Sequence, residues 1–226
     1  MVKPAGQFDQ WDRVETILLD MDGTLLDLYF DNHFWLEHVP VQYAHANNIS
    51  EQQAQAELKQ QYSAARGTLD WYCIDYWSRQ LQLDIRQLKR NLAHMIAIRP
   101  GVSEFLETIN ASDKRVVMVT NAHPATVEIK LEQTGIHHHF DRLLNAHDIG
   151  LAKEQPGFWQ RLAEVEPYNR QTSMLVDDNL EVLHSAHDYG VEYCFGILQP
   201  DSRQQQVNDS AFAVIDDFTE FVAGLR

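Results

Sequence analysis

Cysteine is scarce in this sequence: Cys73 and Cys194 are the only two, and they lie far apart. That argues against a disulfide framework and against a cysteine zinc site, and it fits a reducing compartment. Positive charge is also short. Eighteen Lys and Arg stand against 33 Asp and Glu, a formal net charge of −15, which disfavours nucleic-acid polymers and anionic membranes as partners. No apolar run is long enough to span a bilayer, and the opening MVKPAGQFDQW has no apolar core of signal-peptide length. The expected location is cytoplasmic. A small anionic substrate stays compatible with this charge, because a metal ion or a few donors reverse the field in one pocket.

What is present suits one substantial domain, or a domain with a small insert: 226 residues with 44% hydrophobic content. Short β-rich runs at Val14 to Leu19, Lys114 to Val119, Thr172 to Val176 and Val191 to Phe195 read as strands, with weaker ones at Phe140 to Leu144 and Phe212 to Ile215. Helical patterns lie between them, at Ala125 to Thr134 before Gly135, Glu154 to Val165, and Asn179 to Tyr189 before Gly190. This alternation predicts an α/β fold, a parallel sheet covered on both faces. Between about Leu28 and Arg99 it stops. Helical segments at Asn32 to Asn47, Ser50 to Ala65, Leu69 to Leu81 and Asp84 to His94 read as a helical insert directly after the first strand. Ser50 followed by Gln53 has the form of a capping box.

The chemistry concentrates in "LLDMDGTLLD". Asp20 ends the first strand, and Asp22 points the same way, since residues i and i+2 of an extended chain share a face. Gly23 permits a sharp turn. Two like charges this close need a cation or a shared proton. A second pair, Asp177 and Asp178, follows another strand in "MLVDDNLEVL". Ligands bind at the carboxyl ends of parallel strands, so four carboxylates meeting at one edge suit Mg²⁺, a hard cation. Thr120 and Asn121 end the second strand, and Lys153 opens a helix in "IGLAKEQPGFW". A hydroxyl, an amide and an ammonium are the donors that phosphoryl oxygens need.

DxDGT after strand one, a Thr ending strand two, a later Lys and then DD resemble the haloacid dehalogenase superfamily of phosphatases, over essentially the whole chain. The resemblance implies a Rossmann-like core at 1–27 and 99–226, with a helical cap at 28–98. It implies Asp20 as the nucleophile that becomes an aspartyl phosphate, and Asp22 as general acid and base. Mg²⁺ would sit on the Asp20 carboxylate, the Asp22 main-chain carbonyl and Asp178, with Asp177 acting through water. Thr120, the Asn121 backbone N–H and Lys153 would bind the phosphoryl group. Within the superfamily, "LLDMDGTLLDL", "FDN", "LDWYCIDYWS", "TNAHP" and "QPDSR" resemble the bacterial GMP/IMP nucleotidases. That implies a purine nucleoside monophosphate as the small phosphorylated substrate. A phosphosugar or phosphoglycolate is the alternative, because the first motif reads only phosphate.

Aromatic residues crowd the insert. Helical spacing alone produces such packing. Phe30, Phe34 and Trp35 are the candidates for substrate contact, because they lie beside the catalytic loop. His137, His138 and His139 read as a solvated loop, since adjacent side chains diverge. Asp177 doubles as a candidate N-cap of the following helix. A receiver-type phospho-switch uses similar groups, but there the acidic pair precedes the acceptor aspartate. Here the DxD comes first.

Overall fold

The computed structural model describes residues 3–4, 8–207 and 211–225. Among these residues, seven parallel strands form one sheet: β1 Lys3–Pro4, β2 Thr16–Leu19, β3 Arg115–Thr120, β4 Arg142–Asn145, β5 Ser173–Val176, β6 Tyr193–Ile197 and β7 Ala213–Ile215, in the order β1-β7-β6-β5-β2-β3-β4. The two weaker strand candidates are thus strands, each shifted by a residue or two. β2 lies between β3 and β5, with Leu19 paired to Met118 on one side and Val176 on the other. Chain direction across the sheet reverses here, which is where parallel sheets open a crevice.

Helices cover both faces, and β2 alone shows why. Ile17 and Leu19 enter one apolar cluster with Phe105, Ile129 and Phe221, while Leu18 enters another with Leu162 and Leu183. Alternate residues face opposite layers, and all of them are buried, so a strand of this kind is an unbroken apolar run. The first layer holds α6 Val102–Asn110, α7 Pro124–Thr134 and α11 Thr219–Leu225; the second holds α8 Ala146–Ile149, α9 Phe158–Val165 and α10 Leu180–Tyr189. The sequence reading gives α6 no element, although Val102, Phe105, Leu106 and Ile109 have helical spacing and are buried.

Between β2 and β3, among the described residues, there are helices and no strand of the sheet. α1 Tyr29–His33 runs through a π-helical turn, Phe34–His38, into α2 Val39–Asn47; α3 Glu51–Ala65, α4 Ile74–Leu81 and α5 Ile85–Asn91 follow. The helix predicted from Asn32 to Asn47 is therefore widened in its middle. Pro40, early in α2, lacks the N–H that would extend the regular ladder backward. The predicted Leu69 to Leu81 helix is two pieces, because Cys73 is extended and its Sγ caps α4 by accepting the Tyr76 N–H at 3.4 Å. Asp84 to His94 is split into α5 and a 3₁₀ turn, Ala93–Met95. The Ser50–Gln53 capping box is present in both directions. This segment has an apolar cluster of its own, with Phe34, Leu58, Ile74, Trp77 and Leu81. Trp77 is buried at its centre and donates its indole N–H to Trp71 O at 2.9 Å, so the ring is buried without an orphaned donor.

The chain leaves and re-enters the sheet side by side. Asp27 N–H bonds Ala97 O at 2.9 Å, and Arg99 N–H bonds Leu25 O at 3.0 Å, an antiparallel bridge centred on Leu26 and Ile98. Arg99 is buried and locks this crossing by donating to the carbonyls of Gln199, Pro200 and Asp216.

Candidate active site

The carboxyl ends of β2, β3 and β5 deliver Asp20, Thr120 and Asp177–Asp178 to one edge. Past β2 the chain turns tightly, with Gly23 N–H bonded to Leu26 O at 2.8 Å. Gly23 has a φ of 82°, and a Cβ there would sit 2.5 Å from Asp178 Oδ2. Glycine is therefore required twice, for its backbone conformation and for the close approach of that carboxylate.

Lys153 lies at the centre. Its Nζ bonds Asp20 Oδ1 at 2.5 Å, Asp177 Oδ2 at 2.6 Å and Val119 O at 3.0 Å. It does not open a helix as expected. α9 begins at Phe158, and Lys153 occupies the preceding turn, because Pro156 disfavours helix in the residue before it and Gly157 takes a φ of 89°. Asn121 fixes that turn, accepting the Lys153 N–H at 2.8 Å and donating to Glu154 Oε2 at 2.9 Å. Its side-chain amide is thus committed within the loop. Thr120 is buried, with Oγ1 accepting the Ala122 N–H at 3.0 Å.

Carboxylate oxygens of Asp20, Asp177 and Asp178 lie within 4.8 Å of one another. Asp177 is taken up by Lys153 and by the Asn179 N–H, 3.0 Å from its Oδ1. It is not the cap of α10; Asn179 is, with Oδ1 accepting the Glu181 N–H. The Asp178 carboxylate makes no hydrogen bond or ion pair among the described residues. Burial, and then the charges of Asp20 and Asp177, push its carboxyl well above the ordinary range. Burial likewise raises Asp20 to about 6 against the pull of Lys153. A crowded, oxygen-only donor set with one unpartnered carboxylate fits a divalent hard cation, which relieves the repulsion.

Asp22 faces a second buried lysine, which the sequence reading missed. Lys130 of α7 bonds Asp22 Oδ1 at 2.5 Å and also bonds Asp31 of α1. Lys89 of α5 bonds the other Asp31 oxygen at 2.8 Å and lies 4.5 Å from the Phe34 ring centre and 5.0 Å from that of Phe30. Both lysines are 1–2% exposed. Burial pushes the Asp31 carboxyl up, but Lys130 and Lys89 together hold it below the usual range. Asp22 is raised to about 6, by burial more than Lys130 lowers it. Its Oδ2 has no protein hydrogen bond among the described residues. The available signal was positional. Lys130 falls on the buried stripe of Thr126 and Ile129, and Lys89 follows Ile85 by one turn.

A cavity of about 580 Å³ opens over these groups, with Asp20, Asp22 and Thr120 at its floor and Trp35, Tyr62, Trp71 and Arg66 from the helical segment in its walls. Of the three aromatic candidates only Trp35 reaches it. Phe30 and Phe34 are 2% and 0% exposed, because they pack inward as apolar seats for Lys89. Arg66 is exposed, and its guanidinium makes no hydrogen bond or ion pair among the described residues.

The model of the family of haloacid dehalogenase-like hydrolases matches residues 14–190, which include every acid and lysine of this edge. The chain belongs to that family. It is 38% identical over 215 residues, 95% of this chain and 97% of the other, to the GMP/IMP nucleotidase YrfG of Escherichia coli (strain K12), and equally to that of Shigella flexneri. This haloacid dehalogenase-like chain is a phosphatase close to that subfamily. Solved structures share its fold: a HAD phosphatase from Thermococcus onnurineus (20% identity, TM-score 0.76, 92% of this chain and 95% of that one) and CbbY from Rhodobacter sphaeroides in complex with phosphate (18%, 0.61, 94% and 99%). No helix is long and apolar enough to cross a membrane among the described residues.

Proposed function

We propose that this phosphatase is a Mg²⁺-dependent 5′-nucleotidase for purine monophosphates, GMP and IMP, working through an aspartyl-phosphate. The observation that carries the reading is the 38% identity over 95% of the chain to a GMP/IMP nucleotidase, joined to the convergence of Asp20, Asp22 and Lys153 below one cavity. Residues 28–98 act as the cap and the remainder as the core.

Asp20 is the nucleophile. Its carboxylate attacks phosphorus, and the ester oxygen leaves with a proton from Asp22. Asp22 then takes a proton from the water that hydrolyses the acyl phosphate, so one hard step becomes two easier ones. A carboxyl raised to about 6 is suited to both giving and taking a proton near neutrality. Asp22 Oδ1 is committed to Lys130, which leaves Oδ2 for the transfer. Lys153 and the Thr120 hydroxyl receive the equatorial phosphoryl oxygens, with the Asn121 backbone N–H beside them. The cation would be held by the Asp20 carboxylate, the Asp22 main-chain carbonyl and Asp178, the carboxylate left unbonded, with Asp177 acting through water. When bound, it neutralises charge between the nucleophile and the phosphoryl group.

The cavity is of a size that takes a small ligand almost whole. Trp35, Tyr62 and Trp71 offer apolar faces to a base, and Arg66 offers a planar fork of donors. Such a fork pairs with O6 and N7 of a 6-oxopurine and meets an amino group in adenine. Phosphate release from GMP, IMP, AMP, UMP and a sugar phosphate, with Mg²⁺, tests the reading. GMP and IMP should lead in kcat/KM, and Arg66→Ala should erase about 1–3 kcal/mol of that lead, roughly 5- to 150-fold, while leaving an aryl phosphate nearly untouched. Equal values for all five substrates, or a preference for the sugar phosphate, reject the nucleotidase.

A further inference from the structure

The mechanism uses neither Cys73 nor the histidines beyond Asn121, yet the fold gathers them. Cys73 precedes α4 in the helical segment, His123 precedes α7, and His147 lies in α8. Cys73 Sγ and a ring nitrogen of each histidine lie within 4.8 Å of one another, and all three residues are half-buried. The scarcity of cysteine argued against a zinc cage built from cysteines. It does not exclude one thiol completed by imidazoles from other elements.

Two of the three cap helices, and the third has a polar atom left over. His147 Nε2 is buried and has no hydrogen-bond partner among the described residues. A buried ring nitrogen without a partner is costly, and an ion would satisfy it. His123 Nδ1 accepts the Ala125 N–H at 3.3 Å, a long contact that an ion on that nitrogen would replace, and the Asp75 carboxylate lies 3.6 Å from Nε2. The two rings stand 4.9 Å apart at 76°, not stacked. Cys73 Sγ already accepts a backbone N–H from Tyr76, a contact that a metal-bound thiolate retains.

We propose that Cys73, His123 and His147 form a binding site for a borderline-soft divalent cation of the Zn²⁺ class, separate from the carboxylate cluster. A thiolate and two imidazoles select such an ion, whereas three carboxylates select Mg²⁺. Zn–N bonds near 2.0–2.1 Å and Zn–S bonds near 2.3 Å set tetrahedral ligand atoms about 3.5 Å apart, so side-chain movements of at most about an ångström close the site. On binding, the thiol releases its proton to solvent and its sulfur lone pair forms the bond. Three protein ligands leave a fourth position for water. Because Cys73 comes from the helical segment and both histidines from the sheet layers, the ion ties the two together beside the phosphoryl-binding loop.

Co²⁺ is the probe, added to the whole chain with Mg²⁺ in excess to fill the carboxylate cluster. The expected result is one Co²⁺ per chain with a thiolate-to-cobalt charge-transfer band, displaced by Zn²⁺. Cys73→Ser loses the band and keeps Mg²⁺-supported turnover. His147→Gln weakens Co²⁺ binding by at least the roughly 10- to 100-fold that loss of an outer partner costs. Wild-type protein without the band, or a band that survives Cys73→Ser, overturns the site. Should Cys73→Ser fail to fold, the unaltered protein decides: Zn²⁺ protects Cys73 from alkylation, read by mass spectrometry, and undiminished alkylation overturns the proposal.

Discussion

Asp20 and Asp22 lie two residues apart, and each carboxylate meets its own buried lysine, but the two lysines are anchored differently. Lys153 spans Asp20 and Asp177, both at the ends of sheet strands. Lys130 spans Asp22 and Asp31, and Asp31 belongs to the first helix beyond the crossing, where Lys89 also holds it. The partner of Asp20, the proposed nucleophile, is thus set by the sheet alone. The partner of Asp22, the proposed proton donor, is set jointly by the sheet layer and the helical segment. A buried cation between two carboxylates leaves a costly unpaired charge if one member is lost. The second trio therefore persists only while the helical segment is seated, and the lesson is that position and chemistry are linked at Asp22 and not at Asp20.

The severest way to break the comparison is Asp20→Asn, which keeps shape and removes the proposed nucleophile. Turnover should fall by about 10⁴-fold or more, with the far-ultraviolet circular dichroism unchanged. Near-native phosphate release would remove the covalent route.

On the other side, Asp22→Asn should cost about 10²–10⁴-fold in kcat, most for poor leaving groups. Lys130→Met should cost about 10²-fold through misplacement of Asp22, with KM nearly constant. Combined with Asp22→Asn it should cost little more, since both changes remove one function. Full additivity in this cycle would make Lys130 a merely structural residue.

A finer cut is Asp31→Asn, which removes only the helical segment's share. We expect a loss of about tenfold in kcat for GMP, about 1.4 kcal/mol, and a smaller loss for an aryl phosphate whose leaving group needs no proton. Identical losses for both substrates would uncouple Asp31 from Asp22.

The smallest effect is on stability. Asp20 and Asp22 are each raised from 3.8 to about 6. A carboxyl raised in the folded state favours folding when protonated, so this contribution is present below about pH 4 and is lost as pH rises through 6. Without Mg²⁺, thermal unfolding should show a gain of about 1 kcal/mol per group from pH 7 to pH 5. Asp20→Asn or Asp22→Asn should each shrink it, and Mg²⁺ should remove the Asp20 share by favouring the charged form of that carboxylate.

The sheet edge was legible because its chemistry is local: an apolar run, then acids, a threonine or a paired acid, repeated at Asp20, Thr120 and Asp177. The order of these motifs carried the family. Lys130 and Asp31 were not legible, because each looks ordinary in its own helix and only a contact across distant elements gives it a role. The same holds for Asn32 and Asp201, which occur in two of the signature stretches and meet at 2.7 Å. Phe30 and Phe34 are candidates for substrate contact from their place in the chain alone. Which way a helix turns its aromatics depends on what it packs against, and here that is Lys89. Helix starts failed at Pro156 and Cys73, where the backbone conformation of one residue outweighed a favourable pattern.

The bridge between Leu26 and Ile98 also bears on the order in which the chain assembles. β2 is central, yet Thr16 pairs only with Arg115 and Ser173, residues made long after it. Such pairings are slow, because loop closure must precede any reward from contact. The intervening helices form from near neighbours, and once they are folded the Leu26–Ile98 bridge pinches the long loop shut at its base. The remaining search for β3 to find β2 is then a short one. On this view the helical segment speeds nucleation of a sheet in which it has no strand, and loosening the bridge should slow refolding more than it lowers equilibrium stability.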